Sequence, residues 1–402
     1  MSDGLARSLS GVLDNMKPYP ASIAQFSKGG APYEAGDLFK QPQLARTLDL
    51  IATKGPAGFY EGEFALAIER DMAANGGVMT REDLKSYKAI KRAPVTGRYR
   101  GYEILSMPPP SSGGVAIIEM LNILEGYDLA QMGAGSANAI HHMAESMRRA
   151  FADRAQHLGD PDFNPAMPIA RLLSPEHAAA QRATIDPARA SKSSPESFTW
   201  SGEGTETTHV SVVDAGRNAV SMTYTLEAGY GSKITVPGAG FLLNNEKGDF
   251  NAAPGLTTAD GLIGTVPNMA APGKRMLSSM APTIVTRDGQ LFMVTGSPGG
   301  RTIINTVLET IVNIVDFGMN PQEAADAPRF HHQWLPDRIQ YERVGKSPDT
   351  LAELQRRGHT LLPIGNQGSA QVIVFDVKEN VLEGGSDRRT GDGAAVIVPP
   401  RK

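Results

Sequence analysis

Thr207-Thr208-His209-Val210-Ser211-Val212-Val213-Asp214 is the stretch on which the fold turns. It is rich in β-branched residues and has the period of a strand rather than a helix. Across Ala215-Gly216-Arg217-Asn218 it meets a second such run, 219–226, so the pair reads as a hairpin. A second hairpin follows at 282–287 and 290–295, with Asp288-Gly289 supplying a primed turn. Helices are predicted at 302–317, at 321–326 (Asn320 cap, Pro321 in the first turn, Glu323) and at 348–357 (Ser347 cap, Gly358 stop). Strands at 371–376 and 394–398 close the chain. Strands grouped with helix pairs predict a layered α+β fold, with helices outside two packed sheets.

Upstream of Thr207 the chain reads mainly as helices. Leu44, Leu48 and Ile51 share a helical face over 43–54, which Gly55-Pro56 ends. Phe64, Ile68 and Met72 do the same over 63–74, before Asn75-Gly76-Gly77. Thr80 with Asp83 forms a capping box, and Ser136 caps a longer helix with Ile140, Met143, Met147 and Phe151 on its buried face and Gly159 as its stop. From about 160 to 206, Pro, Ser and Gly residues predict a loop-rich connection.

The bulk numbers exclude several classes. The 402 residues are 41% hydrophobic and 20% charged, an ordinary globular composition. A net charge of -4, with no basic cluster interleaved with aromatics, gives no attraction to nucleic acid. The absence of cysteine removes disulfides, thiolate catalysis and cysteine-bound metal. No stretch approaches the apolar length of a membrane span, and Met1 to Arg7 lack the apolar core of a signal peptide.

A threonine opening a strand is first of all a residue that suits strands. It gains chemistry if the chain is cut between Glu206 and Thr207. The freed α-amine, with an ordinary pKa of roughly 7.7–8.0, would then serve as base for the hydroxyl of the same residue. The motifs around it bear on this choice. Thr207 to Asp214, Thr223-Tyr224-Thr225-Leu226, Gly240-Phe241-Leu242-Leu243-Asn244-Asn245-Glu246, Lys274 to Thr283, Thr295-Gly296-Ser297-Pro298-Gly299-Gly300 and Pro328 to Trp334 closely resemble the small subunit of the gamma-glutamyltransferase family. Gly58 to Asp71, Asn75-Gly76-Gly77 and Ser106 to Gly114 resemble its large subunit.

The resemblance implies a four-layer αββα sandwich of the N-terminal-nucleophile hydrolase type. It implies self-cleavage into subunits 1–206 and 207–402, together one catalytic domain. It further implies gamma-glutamyl transfer from glutathione-like donors to water or an amino-acid or peptide acceptor through an acyl-threonine ester. Neither metal nor organic cofactor is implied, and the compartment would be periplasmic or extracellular. By the same resemblance Thr207 is the nucleophile and Thr225 bonds its hydroxyl. Gly299 and Gly300 hold the oxyanion, Ser278 and Ser279 the substrate's α-carboxylate, and Asp249 with Glu246 its α-ammonium. Ser111-Ser112-Gly113-Gly114 lacks a lysine at phosphate-loop spacing and reads as structural. His141-His142 and His331-His332 lack metal-ligand spacing and read as packing or surface residues.

Departures from the family pattern qualify these expectations. The family's large subunit begins well before any match to Met1, and that stretch carries the arginine paired with the substrate's α-carboxylate. Glu227 stands where a well-known branch has Asn, and it joins the substrate-binding set. Asp260 stands where that branch has a gating aromatic, which predicts an open site and more hydrolysis than transfer. Two rival functions follow: an acylase for glutaryl or cephalosporin side chains, and a fragment that neither cuts itself nor turns over.

Overall fold

The computed structural model describes residues 1–194, 207–251, 253–256, 258–391 and 393–398. The chain divides into two compact units, Met1–Arg92 with Ala228–Asn245, and the remainder. This division does not follow the 206/207 boundary: each unit draws on both sides of it.

In the first unit, helices α1 (Asp3–Met16), α2 (Pro20–Phe26), α3 (Pro42–Lys54), α4 (Ala57–Tyr60), α5 (Glu63–Ala74) and α6 (Arg81–Ser86) surround the excursion 228–245. The excursion is held by polar and apolar contacts alike. Ser22 Oγ donates to the Lys233 carbonyl at 2.7 Å, Thr47 Oγ1 donates to the Ala239 carbonyl at 2.6 Å, and Phe241 packs on Phe59 and Phe64. Gly240, at φ +72°, leaves room for the α3 backbone, because a Cβ there would lie 2.5 Å from the Leu44 nitrogen. The Thr80–Asp83 capping box forms as the sequence predicts.

The second unit is built on a six-stranded antiparallel sheet. Its strands are β1 (Val95–Tyr99), β2 (Tyr102–Ser106), β5 (Thr283–Arg287), β6 (Gln290–Gly296), β10 (Gln371–Asp376) and β11 (Val381–Ser386), in that spatial order. Helices α7 (Gly113–Leu124), α9 (Ala137–His157) and α12 (Thr302–Val315) supply most of its apolar core, with Ile117, Leu121, Met147, Ile304 and Leu308 buried among Ile104, Val285 and Met293. The short α8 (Leu129–Met132), α10 (Ile169–Leu172), α11 (Pro175–Ala183), α13 (Pro321–Asp326) and α14 (Pro348–Arg356) complete the helices, and β7 (Phe330–His331), β8 (Ile339–Glu342) and β9 (Leu361–Ile364) form a small mixed sheet.

The hairpin of β3 (Thr207–Val213) and β4 (Ala219–Thr225) lies on the large sheet and forms a second one. Ser221 Oγ donates to the Thr295 carbonyl at 2.9 Å, and Ser211 Oγ to that of Gln371 at 3.3 Å. Its outward face carries Val210, Val212, Val220, Met222 and Tyr224, all exposed. Among the described residues no helix is long and apolar enough to cross a membrane.

Two predicted elements need correction. Residues 394–398 form no strand: Val396, Ile397 and Val398 are exposed, and the polar, Gly-containing 381–386 pairs with β10 instead. Pairing is a backbone property, and the turn after β10 brings the nearer segment alongside first. The connection 160–206 holds α10 and α11, the latter capped by Ser174 with Pro175 in its first turn. The strands β1 and β2 were also absent from the helical reading of the first half. Their turn, Arg100 at φ +50° and Gly101 at +82°, is of the primed kind.

Candidate active site

The β3–β4 register sets Thr207 directly opposite Thr225, and the Thr207 hydroxyl donates to Thr225 Oγ1 at 3.2 Å. The same Thr225 oxygen accepts the backbone N–H of Glu227 at 2.8 Å. That bond holds Glu227, a non-glycine residue at φ +74°, in a conformation such residues rarely adopt. Its buried carboxylate lies against Gly248, where a Cβ would come within 2.9 Å of Glu227 Oε1. One threonine hydroxyl thus ties the start of β3 to an acid at the end of β4.

These groups face a cavity with an empty volume of ≈ 250 Å³, lined by Thr207, Thr225, Glu227, Asp249, Ser278, Ser279, Met280, Gly300 and Ile303. It is smaller than the roughly 300–1,000 Å³ of drug-sized ligand sites. Seven residues named from the sequence therefore meet at one wall. Glu246 opens the 3₁₀ turn Glu246–Asp249 that presents Asp249, and neither it nor Gly299 lines the cavity. Glu206 lies outside the described residues.

Gly299 at φ +131° and Gly300 at +56° turn β6 into α12, and Gly299 has no space for a side chain because a Cβ would meet Thr302 Oγ1 at 2.5 Å. Their carbonyls accept from Thr302 and Ile303, while among the described residues their own N–H groups have no acceptor. Such N–H groups at a helix start suit developing negative charge.

Several supporting residues carried no signal in the sequence. Arg154, fully buried on α9, donates to Ser279 Oγ at 3.0 Å and to Ser112 Oγ at 2.7 Å. Ser112 in turn bonds the Ser278 carbonyl through both Oγ and N–H, and Ser111 Oγ donates to the Met280 carbonyl. The Ser111–Gly114 motif thus clasps the serine pair from behind, in keeping with its structural reading. A helix residue spaced 125 positions from its partner is invisible to local pattern, although Arg154 falls among the buried positions of an amphipathic helix where a cation demands a partner.

His209 is buried beneath β3 against Gly296, and burial pushes its pKa down to about 4. Ser211 Oγ, itself donating to Gln371, accepts from His209 Nε2 at 3.0 Å, so Nδ1 accepts from Thr223 Oγ1 at 2.8 Å. The other histidines pack as expected. His141 and His142 are buried, with His141 Nδ1 2.8 Å from His359 Nε2, and His331 and His332 are buried beside Asn305 and Asp337.

Comparison with known proteins gives the lineage. The family described as gamma-glutamyltranspeptidase matches residues 1–397. The chain belongs to this family. A glutathione hydrolase proenzyme of Escherichia coli (strain K12) is 46% identical over 397 residues, covering 98% of this chain and 67% of the relative. One from Pseudomonas sp. (strain A14) is 48% identical, over 84% and 59%. The acylase ACY 1 proenzyme of Pseudomonas sp. (strain SE83) is 40% identical, over 94% and 65%. The chain spans 59% to 67% of the length of these relatives. A crystal structure of cephalosporin acylase from Bacillus halodurans superposes with a TM-score of 0.83 at 27% identity, over 97% of this chain and 70% of that one. The fold is α+β, of the N-terminal-nucleophile hydrolase type expected for the family.

Proposed function

We propose that the chain cuts itself between Glu206 and Thr207 and hydrolyses or transfers gamma-glutamyl groups from glutathione-like amides. The observation that carries this reading is the Thr207 hydroxyl on the wall of a small cavity that it shares with Thr225, Glu227, Asp249, Ser278 and Ser279. The freed α-amine of Thr207 takes the hydroxyl proton and the oxygen attacks the side-chain amide carbonyl. Gly299 and Gly300 N–H groups receive the oxyanion, and the proton passes to the leaving amine. Water or an amine acceptor then opens the threonine ester. Ser278 and Ser279 bind the donor's α-carboxylate, while Asp249, Glu227 and Glu246 hold its α-ammonium. With both ends of the glutamyl group fixed, its gamma carbonyl is the electrophile beside Thr207. The chemistry uses no metal or organic cofactor. The two products of cleavage, 1–206 and 207–402, remain together as one enzyme, in the periplasm or outside the cell.

Intact mass of the purified protein tests the first step: two pieces divided before Thr207 are expected, and a single piece with no turnover makes this a non-processing remnant. Thr207→Ala should abolish both scission and release of p-nitroaniline from gamma-glutamyl-p-nitroanilide. Retention of either one sinks the proposal. A second reading, acylase activity on glutaryl amides, draws on the acylase relatives. Glutaryl lacks the α-ammonium that the carboxylates of Asp249 and Glu227 on the cavity wall would bind, so gamma-glutamyl anilide should outpace glutaryl anilide. The opposite order would favour the acylase. A dipeptide acceptor should raise product release only modestly if hydrolysis dominates.

A further inference from the structure

Away from the threonine cavity, three helices bring a second set of donors together. Glu119 comes from the middle of α7, Asp153 from the last turns of α9 and His177 from the first turn of α11, with one ligating atom of each within 4.8 Å of the others. His177 Nε2 lies 2.8 Å from Asp153 Oδ2 and 3.4 Å from Glu119 Oε1. Glu119 is 1% exposed, and its Oε1 has no hydrogen-bond partner. It is the one charged residue in the run Gly113–Leu124, which is apolar but for it and Asn122, and a hydrophobic side chain would satisfy packing there. A carboxylate buried this deeply beside another one must either hold a proton or have positive charge close to it.

We propose that Glu119, Asp153 and His177 bind a divalent cation of the zinc class. One imidazole with two carboxylates is a borderline donor set that suits such ions better than calcium or magnesium, which prefer oxygen alone. Facing two carboxylates, His177 starts with a proton on each ring nitrogen; the cation displaces the Nε2 proton, which is released to solvent, and the Nδ1 proton stays. There it faces Arg171, whose guanidinium contact at 3.4 Å is long enough to give way. Gln181 Nε2, 3.0 Å from Asp153 Oδ2, orients the carboxylate from outside. The buried group His141, Glu145 and His359 does not compete. Arg148, Arg149 and the Ser191 N–H occupy the Glu145 oxygens, and the His141 nitrogens bond His359 and the Asp186 carbonyl.

A cation here would brace the scaffold of the serine pair. Asp153 precedes Arg154, which reaches Ser279, and Glu119 lies two turns along the helix that starts beside Ser112. The test is titration of chelator-treated, untagged full-length protein with zinc chloride and cobalt chloride, followed by calorimetry and visible absorption. One equivalent should bind with release of protons and raise the Tm. Glu119→Gln and His177→Gln should each weaken binding at least about tenfold, and His359→Gln should leave it unchanged. No saturable binding by the wild type, or equal affinity in the first two variants, overturns the site. If those variants do not fold, zinc protection of His177 from diethyl pyrocarbonate, read by peptide mass, decides: protection supports the site and unchanged modification removes it.

Discussion

The two hairpins of the second unit are built on opposite rules. The β5–β6 hairpin sends the paired Val285 and Met293 into the core, and the end of β6 is buried on its other face too, at Val294. The β3–β4 hairpin turns Thr207, His209 and Ser211 with Ser221, Thr223 and Thr225 inward and leaves five large apolar side chains outside. Because the side-chain period is two, a slip of one residue would exchange those faces. The polar register persists because each inward hydroxyl or imidazole named above is hydrogen-bonded, which removes the desolvation penalty that an unpaired group would carry. The face that looks wrong for a core is the one that faces the candidate site.

Acid should separate the two hairpins most strongly. The buried face of β5–β6 has no titratable group, whereas β3 has His209, held neutral by burial down to about pH 4. An unfolded histidine protonates near 6.5, so between these values the unfolded chain binds more protons and stability falls as pH is lowered from about 6.5 towards 4. The full difference is worth about 3 kcal/mol. His332 and His359, also depressed by burial, act in the same direction but remain in a His209→Gln protein. Urea midpoints at pH 7 and pH 4.5 should therefore show a shallower acid loss in that variant, and an unchanged loss would contradict the neutral buried ring.

A smaller effect is expected from closing the gap between the hairpins. At Gly296, on β6, a Cβ would lie 2.1 Å from His209 Cε1, so Gly296→Ala must push β3 outward. Overpacking of this kind costs roughly 1–3 kcal/mol, read from the shift in urea midpoint. Since β3 begins at Thr207, turnover should fall further than stability alone explains. Next in size comes Thr225→Val, which keeps the shape and removes the oxygen that receives the Thr207 hydroxyl and the Glu227 N–H. The turnover rate should drop about tenfold, for a loss near 1.4 kcal/mol, and Thr225→Ser should restore it. Equal rates in the Val and Ser proteins would remove Thr225 from the mechanism.

How much of this was legible follows from what kind of contact each part depends on. Caps, turns and hairpins are local, so Thr80–Asp83, Asn320–Glu323 and Asp288-Gly289 were read correctly from neighbouring residues. The gathering of Thr207, Asp249, Ser278 and Gly300 was reached through family motifs, because no short-range pattern links loops tens of residues apart. Arg154 beneath Ser279 and the inversion of β3–β4 stayed hidden for the same reason: whether an alternating strand buries its even or odd face is decided by what packs on it. The division into units escaped too, since 228–245 leaves the hairpin to join helices formed two hundred residues earlier.

The smallest predicted effect is also the sharpest probe of the inversion. Val212 pairs with Val220 on the outward face and is 50% exposed, whereas Val285 of the other hairpin is fully buried. If the apolar face of β3–β4 were a true core face, Val212→Thr would bury an unpaired hydroxyl and destabilise the chain by roughly 1–3 kcal/mol. Exposed as it is, the new hydroxyl keeps its water, and threonine retains the β-branched shape that suits a strand. The change in urea midpoint should therefore correspond to less than about 0.5 kcal/mol, with turnover unaltered. A larger loss would mean that the outward face is covered in solution, and the contrast between the two hairpins would then lie in their partners rather than in their exposure to water.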